Sequence, residues 1–248
     1  MWQITLNAAL LGAHIQKKDT GFRQRDVKFL MELFWNWQSS VVSRSHMEPV
    51  HNNQMKRTLQ QLVQDSMATM SRSKPPKYKL TRAGLISILE QIRNEALTGS
   101  FDAFLFGRYL FQTYRDRFSA LVQNTGTNTP LAFRHEIKEL LDTESLEEQK
   151  RSSLKKAIAY LKERISETEK TVNFSTKQLS QKIDLQELAR QVETMFPYEL
   201  NYQKPLTQLF KDLPEDLQKW ELTEGNRLRI EILWKIKLRI LEDQLKLL

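Results

Sequence analysis

Residues Asn52–Ala96, NNQMKRTLQQLVQDSMATMSRSKPPKYKLTRAGLISILEQIRNEA, decide how this chain is read. Met55, Leu59, Leu62, Val63 and, at the end, Met67 recur three or four residues apart, which predicts a helix with one apolar stripe. The opposite face carries Gln54, Arg57, Gln60, Gln61 and Gln64, side chains that form hydrogen bonds rather than the Glu/Lys mixture of an ordinary solvated helix. His51-Asn52-Asn53 supplies N-cap chemistry in front of it. The breaker Lys74-Pro75-Pro76 follows, and then KYKLT alternates Tyr78 and Leu80 with Lys77 and Lys79, as a half-buried strand requires. The segment therefore predicts a short β-hairpin with a basic tip. Thr81 caps a further helix whose Leu85, Ile88, Leu89 and Ile92 share one inner face.

Upstream, Arg25–Gln38 sets Phe29, Leu30, Leu33, Phe34 and Trp37 at helical spacing, and a less regular Ser39–Val50 follows, closed by Pro49. Helix, irregular turn, polar helix, basic hairpin, helix is the order of a winged helix-turn-helix. Within it, Tyr78-Lys79-Leu80-Thr81-Arg82-Ala83-Gly84 resembles the YxLTxxG segment through which the wing of PadR-type winged-helix regulators returns. The resemblance spans Arg23 to Leu97; at the bend where that family usually has a glycine, this chain has Asp65-Ser66.

A module of this kind lays its polar helix in the major groove of double-stranded DNA. Asn or Gln can bond an adenine edge in bidentate fashion, and Arg a guanine, which nominates Asn53, Gln54 and Arg57 for base contacts, with Gln60 on the same face. Lys56 falls near the backbone, and Arg72, Lys74, Lys77 and Lys79, with Arg44, are expected at phosphates or the adjacent minor groove.

The charge agrees with this placement. The 248 residues carry a net charge of +8, and Arg44–Arg82 alone holds eight basic residues against two acidic ones, a net +6. The remainder is close to balanced. The absence of cysteine excludes disulfides, thiolate metal sites and thiol catalysis, and only seven glycines leave little for phosphate-cradling loops. Phosphate-loop, dinucleotide, HExxH and GxSxG motifs are missing. The four histidines, His14, His46, His51 and His135, are scattered; His46 and His51, five apart on an irregular segment, have no nearby carboxylates in ligand register, and Asp142 with Glu148 and Lys150 lies on what reads as a solvated Glu/Lys helix. No catalytic residue, metal site or cofactor is assigned.

Beyond the basic module, Phe104, Phe111 and Phe118 are spaced seven apart on a core or dimer helix, and Leu154, Ile158, Leu161, Ile165, Thr168 and Val172 form a heptad seam. Phe174–Phe196 reads as a fresh helix or two, and the last helix shows an apolar face of Leu228, Ile232, Leu233, Ile236, Ile240, Leu241, Leu245 and Leu248. The expected fold is mainly α: a winged helix-turn-helix with a small hairpin wing at 1–98, including an N-terminal extension, then a helical bundle or coiled coil at 99–248 for dimerisation or partner docking. The corresponding function is a homodimeric, sequence-specific DNA-binding transcriptional regulator. A non-enzymatic adaptor that docks protein partners through the wing and the long helices is the alternative. With no signal peptide and no membrane span, a cytoplasmic location is expected.

Overall fold

A computed structural model describes residues 2–17, 20–42, 52–125, 131–196 and 205–248, with the side chains of 37–42 and 131–133 left out of account. It is mainly helical with one two-stranded antiparallel sheet. Two compact units are present, Met1–Lys150 and Arg151–Leu248, so the division falls inside a long helix and the aromatic helix at 101–124 shares a unit with the hairpin.

The first unit is built around α1 (Trp2–Lys17), in which Ile4 to Leu11 are buried without a break, followed by Ala13 and His14. Between Ile4 and Ala13 only Thr5 and Asn7 are polar, and Asn7 donates to the Gln91 side chain, so this stretch has almost no solvent face to keep and becomes the centre of a core. This is why 2–17 is an integral layer rather than an extension: α1 packs on α2 (Gln24–Val42), α4 (Arg82–Thr98) and α5 (Phe101–Asn124). Phe104, Phe111 and Phe118 of α5 are buried as their spacing predicts. The buried face of α2 is Val27, Leu30 and Met31, whereas Phe29 is 62% exposed and Leu33 50% exposed. Helical spacing alone had placed Phe29 and Leu33 on the inner face. Helix α2 is also longer than its pattern suggests, since the backbone of Ser39–Val42 is helical.

Between α2 and α4 come α3 (Asn52–Gln64), β1 (Ala68–Met70) and β2 (Tyr78–Leu80). The strands pair with Ala68 opposite Leu80 and Met70 opposite Tyr78, and Tyr78 and Leu80 point inward while Lys79 is exposed. Phe22 adds a single antiparallel bridge on the other side of β2, exchanging both backbone hydrogen bonds with Tyr78 at 2.9 and 2.8 Å. Gly21, at φ +73°, makes the turn into that bridge.

The return from hairpin to α4 explains the Thr81 and Gly84 positions physically. The Thr81 hydroxyl donates to the Ser66 carbonyl at 2.9 Å and accepts from the Gly84 N–H at 3.1 Å, joining the end of the α3 turn to the first turn of α4. A Cβ on Gly84 would stand 1.9 Å from the Met67 carbonyl oxygen, so only glycine lets the two backbones approach. Ser66 itself sits at φ 58°, the left-handed conformation that favours glycine, at the bend between α3 and β1.

Helices α6 (Leu131–Leu140) and α7 (Thr143–Ser180) follow. Half-buried Arg93 of α4 ties their junction down by donating to the Leu140 and Asp142 carbonyls at 3.0 and 2.9 Å and to the Ser145 hydroxyl. Lys150 is buried, not on a solvated face: its ammonium donates to the Leu97 and Gly99 carbonyls, at the end of α4, at 3.0 and 3.2 Å. Sequence alternation of Glu and Lys hid this, because the carbonyls that satisfy Lys150 come from residues about fifty positions away.

In the second unit, α7 continues without a break to Ser180, one helix where the sequence suggested a new start near Phe174. α8 (Leu185–Met195) and α9 (Leu206–Lys211) close a core of Leu188, Val192, Leu206, Phe210 and Leu222. From Glu215 to Lys246 the chain is helical: α10 (Glu215–Trp220), a π-turn segment at Glu221–Gly225, α11 (Asn226–Leu228), a second π segment at Arg229–Trp234, and α12 (Lys235–Lys246). Ion pairs Lys162–Glu242 at 2.8 Å and Glu169–Lys235 at 3.8 Å show that this arm runs antiparallel to α7. The seam residues Leu154 to Val172 are buried, and Ile230, Trp234, Leu238 and Leu241 pack on Leu161 and Ile165. Of the stripe expected to pack, Leu228, Ile232, Leu233, Ile236 and Ile240 are instead exposed. The last helix has two apolar faces, and periodicity could not choose between them. Among the described residues no helix is long and apolar enough to cross a membrane.

Candidate nucleic-acid interface

Helix α3 is seated by Met55 and Leu59, both fully buried, and by half-buried Leu62 and Val63. That anchorage turns Asn53, Gln54, Lys56, Arg57, Gln60, Gln61 and Gln64 outward, all exposed. Asn52 and Asn53 form the helix's first turn rather than its cap, and the Asn52 carbonyl accepts from the Gln24 side chain at 2.9 Å, which ties α3 to the start of α2. Gln61 is engaged locally, donating to the Asp65 carboxylate at 2.9 Å. His46, His51 and Arg44 lie outside the described residues.

The hairpin tip is a closed loop. Ser71 N–H donates to the Lys77 carbonyl at 2.8 Å, the Lys77 N–H donates to the Ser71 hydroxyl at 3.0 Å, and Ser73 donates to the Pro75 carbonyl at 3.0 Å. With its polar groups satisfied inside the loop, the tip presents its cations outward: Arg72, Lys74 and Lys79 are exposed and Lys77 is half-exposed.

Lys56, Arg57, Arg72, Lys74, Lys77 and Lys79 form no ion pair among the described residues. Some cations elsewhere are paired, as in Arg108–Glu147 at 2.7 Å. Arg82, which contributes to the basic run by count, is spent inside the protein: its guanidinium donates to the Val122 and Gln123 carbonyls near the end of α5 at 3.2 and 3.1 Å. Sequence counting could not separate it from the exposed cations, because the carbonyls it serves are forty residues away.

Behind the hairpin, His14 of α1 is buried and its Nδ1 accepts from the Leu80 N–H at 3.2 Å, fastening β2 to the central helix. Burial, then the positive charge of Lys79, hold its pKa below the ordinary 6.5. A lowered folded value means that the unfolded chain binds the proton more readily. The stability His14 contributes is therefore complete above the unfolded value and lost as pH falls through the folded one. Thermal unfolding at about pH 7.5 and pH 5 is expected to show a larger acid loss in the wild type than in His14→Asn, which keeps an acceptor but does not titrate in this range. Equal losses in the two proteins would remove His14 from this role.

The Asp142, Glu148 and Lys150 set is not convergent: the Asp142 carboxylate accepts from the Glu144 N–H at the start of α7, while Lys150 is turned into α4. Among the described residues no cluster of three or more His, Asp or Glu is arranged to hold a metal ion. No protein-family model matches the chain, and neither a curated protein nor a solved structure is significantly similar to it.

Proposed function

We propose that this protein is a sequence-specific, double-stranded-DNA-binding transcriptional regulator that works as a homodimer in the cytoplasm. The observation that carries the reading is the exposure of amides and cations on α3 and of cations on the hairpin that follows it, with no ion pair formed by these cations among the described residues. An ordered polyanion is the natural counterpart of such a surface.

The element order supports the same reading. Helix α1, the Phe22 bridge, α2, α3, β1, hairpin tip and β2 follow one another as the parts of a winged helix do, with α3 as the reading helix and Ser71–Lys77 as the wing. Arg57 is suited to a guanine O6/N7 edge, Asn53 and Gln54 to adenine, with Gln60 one turn on. Lys56, Arg72, Lys74, Lys77 and Lys79 supply phosphate contacts that position the module without reading sequence. The exposed stripe of Ile232, Leu233, Ile236 and Ile240 offers apolar surface for pairing two copies, so that their reading helices address half-sites about 34 Å apart.

The test is selection from a random duplex library, followed by binding titrations against the selected and scrambled sequences. Gln54→Ala with Arg57→Ala should reduce the preference for the selected site by about tenfold to a hundredfold, while non-specific affinity falls much less. Unchanged site selection would take α3 out of the reading role. The exposed C-terminal stripe also favours a second reading, a non-enzymatic adaptor that docks protein partners, and that reading expects no DNA complex surviving moderate salt.

A further inference from the structure

The exposed Leu33 of α2 borders a groove between α1, α2 and α5 with a volume of about 460 Å³. Leu11, Leu30, Phe34, Phe106 and Leu110 line it, and Gly12 forms part of its floor, where a Cβ would come within 3.1 Å of the Leu30 side chain. The size falls within the range of small-molecule sites, which are mostly apolar with a few placed polar groups. Here the charged group is Arg117. Its guanidinium stands 5.7 Å from the centre of the Tyr114 ring and forms no ion pair among the described residues.

We propose that this groove binds a small amphipathic carboxylic acid, its aromatic or medium-chain aliphatic body against the apolar walls and its carboxylate on Arg117. The charge pattern selects the class. A guanidinium without an ion-pair partner beside an apolar slot gains most from a ligand that brings one anion and hydrocarbon together, since a charge-assisted bond to a planar carboxylate is among the stronger ones available. A neutral hydrocarbon would leave Arg117 unused, and a small inorganic anion would leave the slot empty.

Arg117 also lines a second cavity, together with His14 and with Lys79 and Leu80 of β2. Neutralising Arg117 with a carboxylate would therefore also change the charge along the cavity that Lys79 of β2 lines. This regulatory consequence rests on the DNA-binding reading; the site itself does not.

The test is calorimetric titration of the full chain, without DNA, with octanoate, 2-naphthoate and the matching uncharged amides. At least one carboxylate should bind saturably with a Kd below about 1 mM. Arg117→Gln should weaken it by about tenfold, Arg117→Lys, which keeps the charge but loses the planar fork, should fall between the two, and the amides should bind the wild type and Arg117→Gln equally. Because Arg117 is exposed, neither variant removes core packing. Absence of saturable binding by both carboxylates, or equal carboxylate affinity in wild type and Arg117→Gln, overturns the proposal. So does sedimentation showing that the wild type self-associates and that Leu33→Glu abolishes this, because a second copy then occupies the groove. Measuring binding without DNA keeps a failure here distinct from a failure of the DNA reading.

Discussion

Replacing Lys74, Lys77 and Lys79 together by Glu should lower affinity for any duplex DNA by about a hundredfold or more at roughly 0.1 M salt, cognate and scrambled sequences alike. The reason is additive electrostatics: these three ammonium groups form no ion pairs among the described residues, so each is available to displace counterions from a phosphate. The slope of log affinity against log salt should become shallower by about 0.9 for each phosphate that is no longer neutralised, or roughly 2.7 for all three. Fluorescence anisotropy across a salt series reads both quantities. A control with Lys155, Lys156 and Lys170 changed to Glu alters net charge equally, on exposed positions of α7. If both triple variants lose affinity equally, the hairpin has no local role and only total charge matters; a slope that does not change excludes phosphate binding by the hairpin.

The second large effect concerns Gly84. Gly84→Ala places a methyl group 1.9 Å from the Met67 carbonyl oxygen, far inside contact distance, and the obstacle is backbone rather than a side chain that could swing away. Helix α4 must then separate from the turn before β1, breaking the Thr81 hydrogen bonds to Ser66 and Gly84. A cost of about 3–5 kcal/mol and a fall in Tm on the order of 10 °C follow. Ala83→Ser, one residue earlier and on the outer side of the helix, should leave Tm nearly unchanged. Calorimetry on the pair checks this, and a Gly84→Ala protein melting with the wild type would show that the approach of the two backbones is not needed. Since α4 also holds Arg93 against the α6–α7 junction, its movement should propagate to those carbonyl contacts, visible as faster hydrogen exchange around Leu140 and Asp142.

Much of the candidate site was legible because its signals are local. The stripe of Met55 and Leu59 faces inward and the glutamines and Arg57 face outward because a helix repeats every 3.6 residues, whatever lies beneath it. Tyr78 and Leu80 alternate with Lys79 for the corresponding reason in a strand. The inner face of α4 and the aromatic heptad of α5 follow the same rule.

What could not be read depends on residues distant in the chain. Phe29 and Leu33 satisfy the helical period but stay exposed, because α1 takes Val27, Leu30 and Met31 and leaves a groove beside Leu33. The last helix carries two apolar faces, and only the position of Leu161 and Ile165 decides which is covered. Arg82 and Lys150 look like surface charge until carbonyls at the ends of α5 and α4 accept their hydrogen bonds.

By itself, then, the sequence determined a mainly helical chain, the hairpin and its inward residues, and the concentration of positive charge between Arg44 and Arg82. Tertiary structure alone decided that α1 is the central layer, that Phe22 bridges β2, which cations remain without ion pairs among the described residues, and that Arg117 meets an apolar groove. The physical reason is separation along the chain: periodicity and capping are set within a few residues, whereas burial and charge pairing depend on which remote surface is brought into contact.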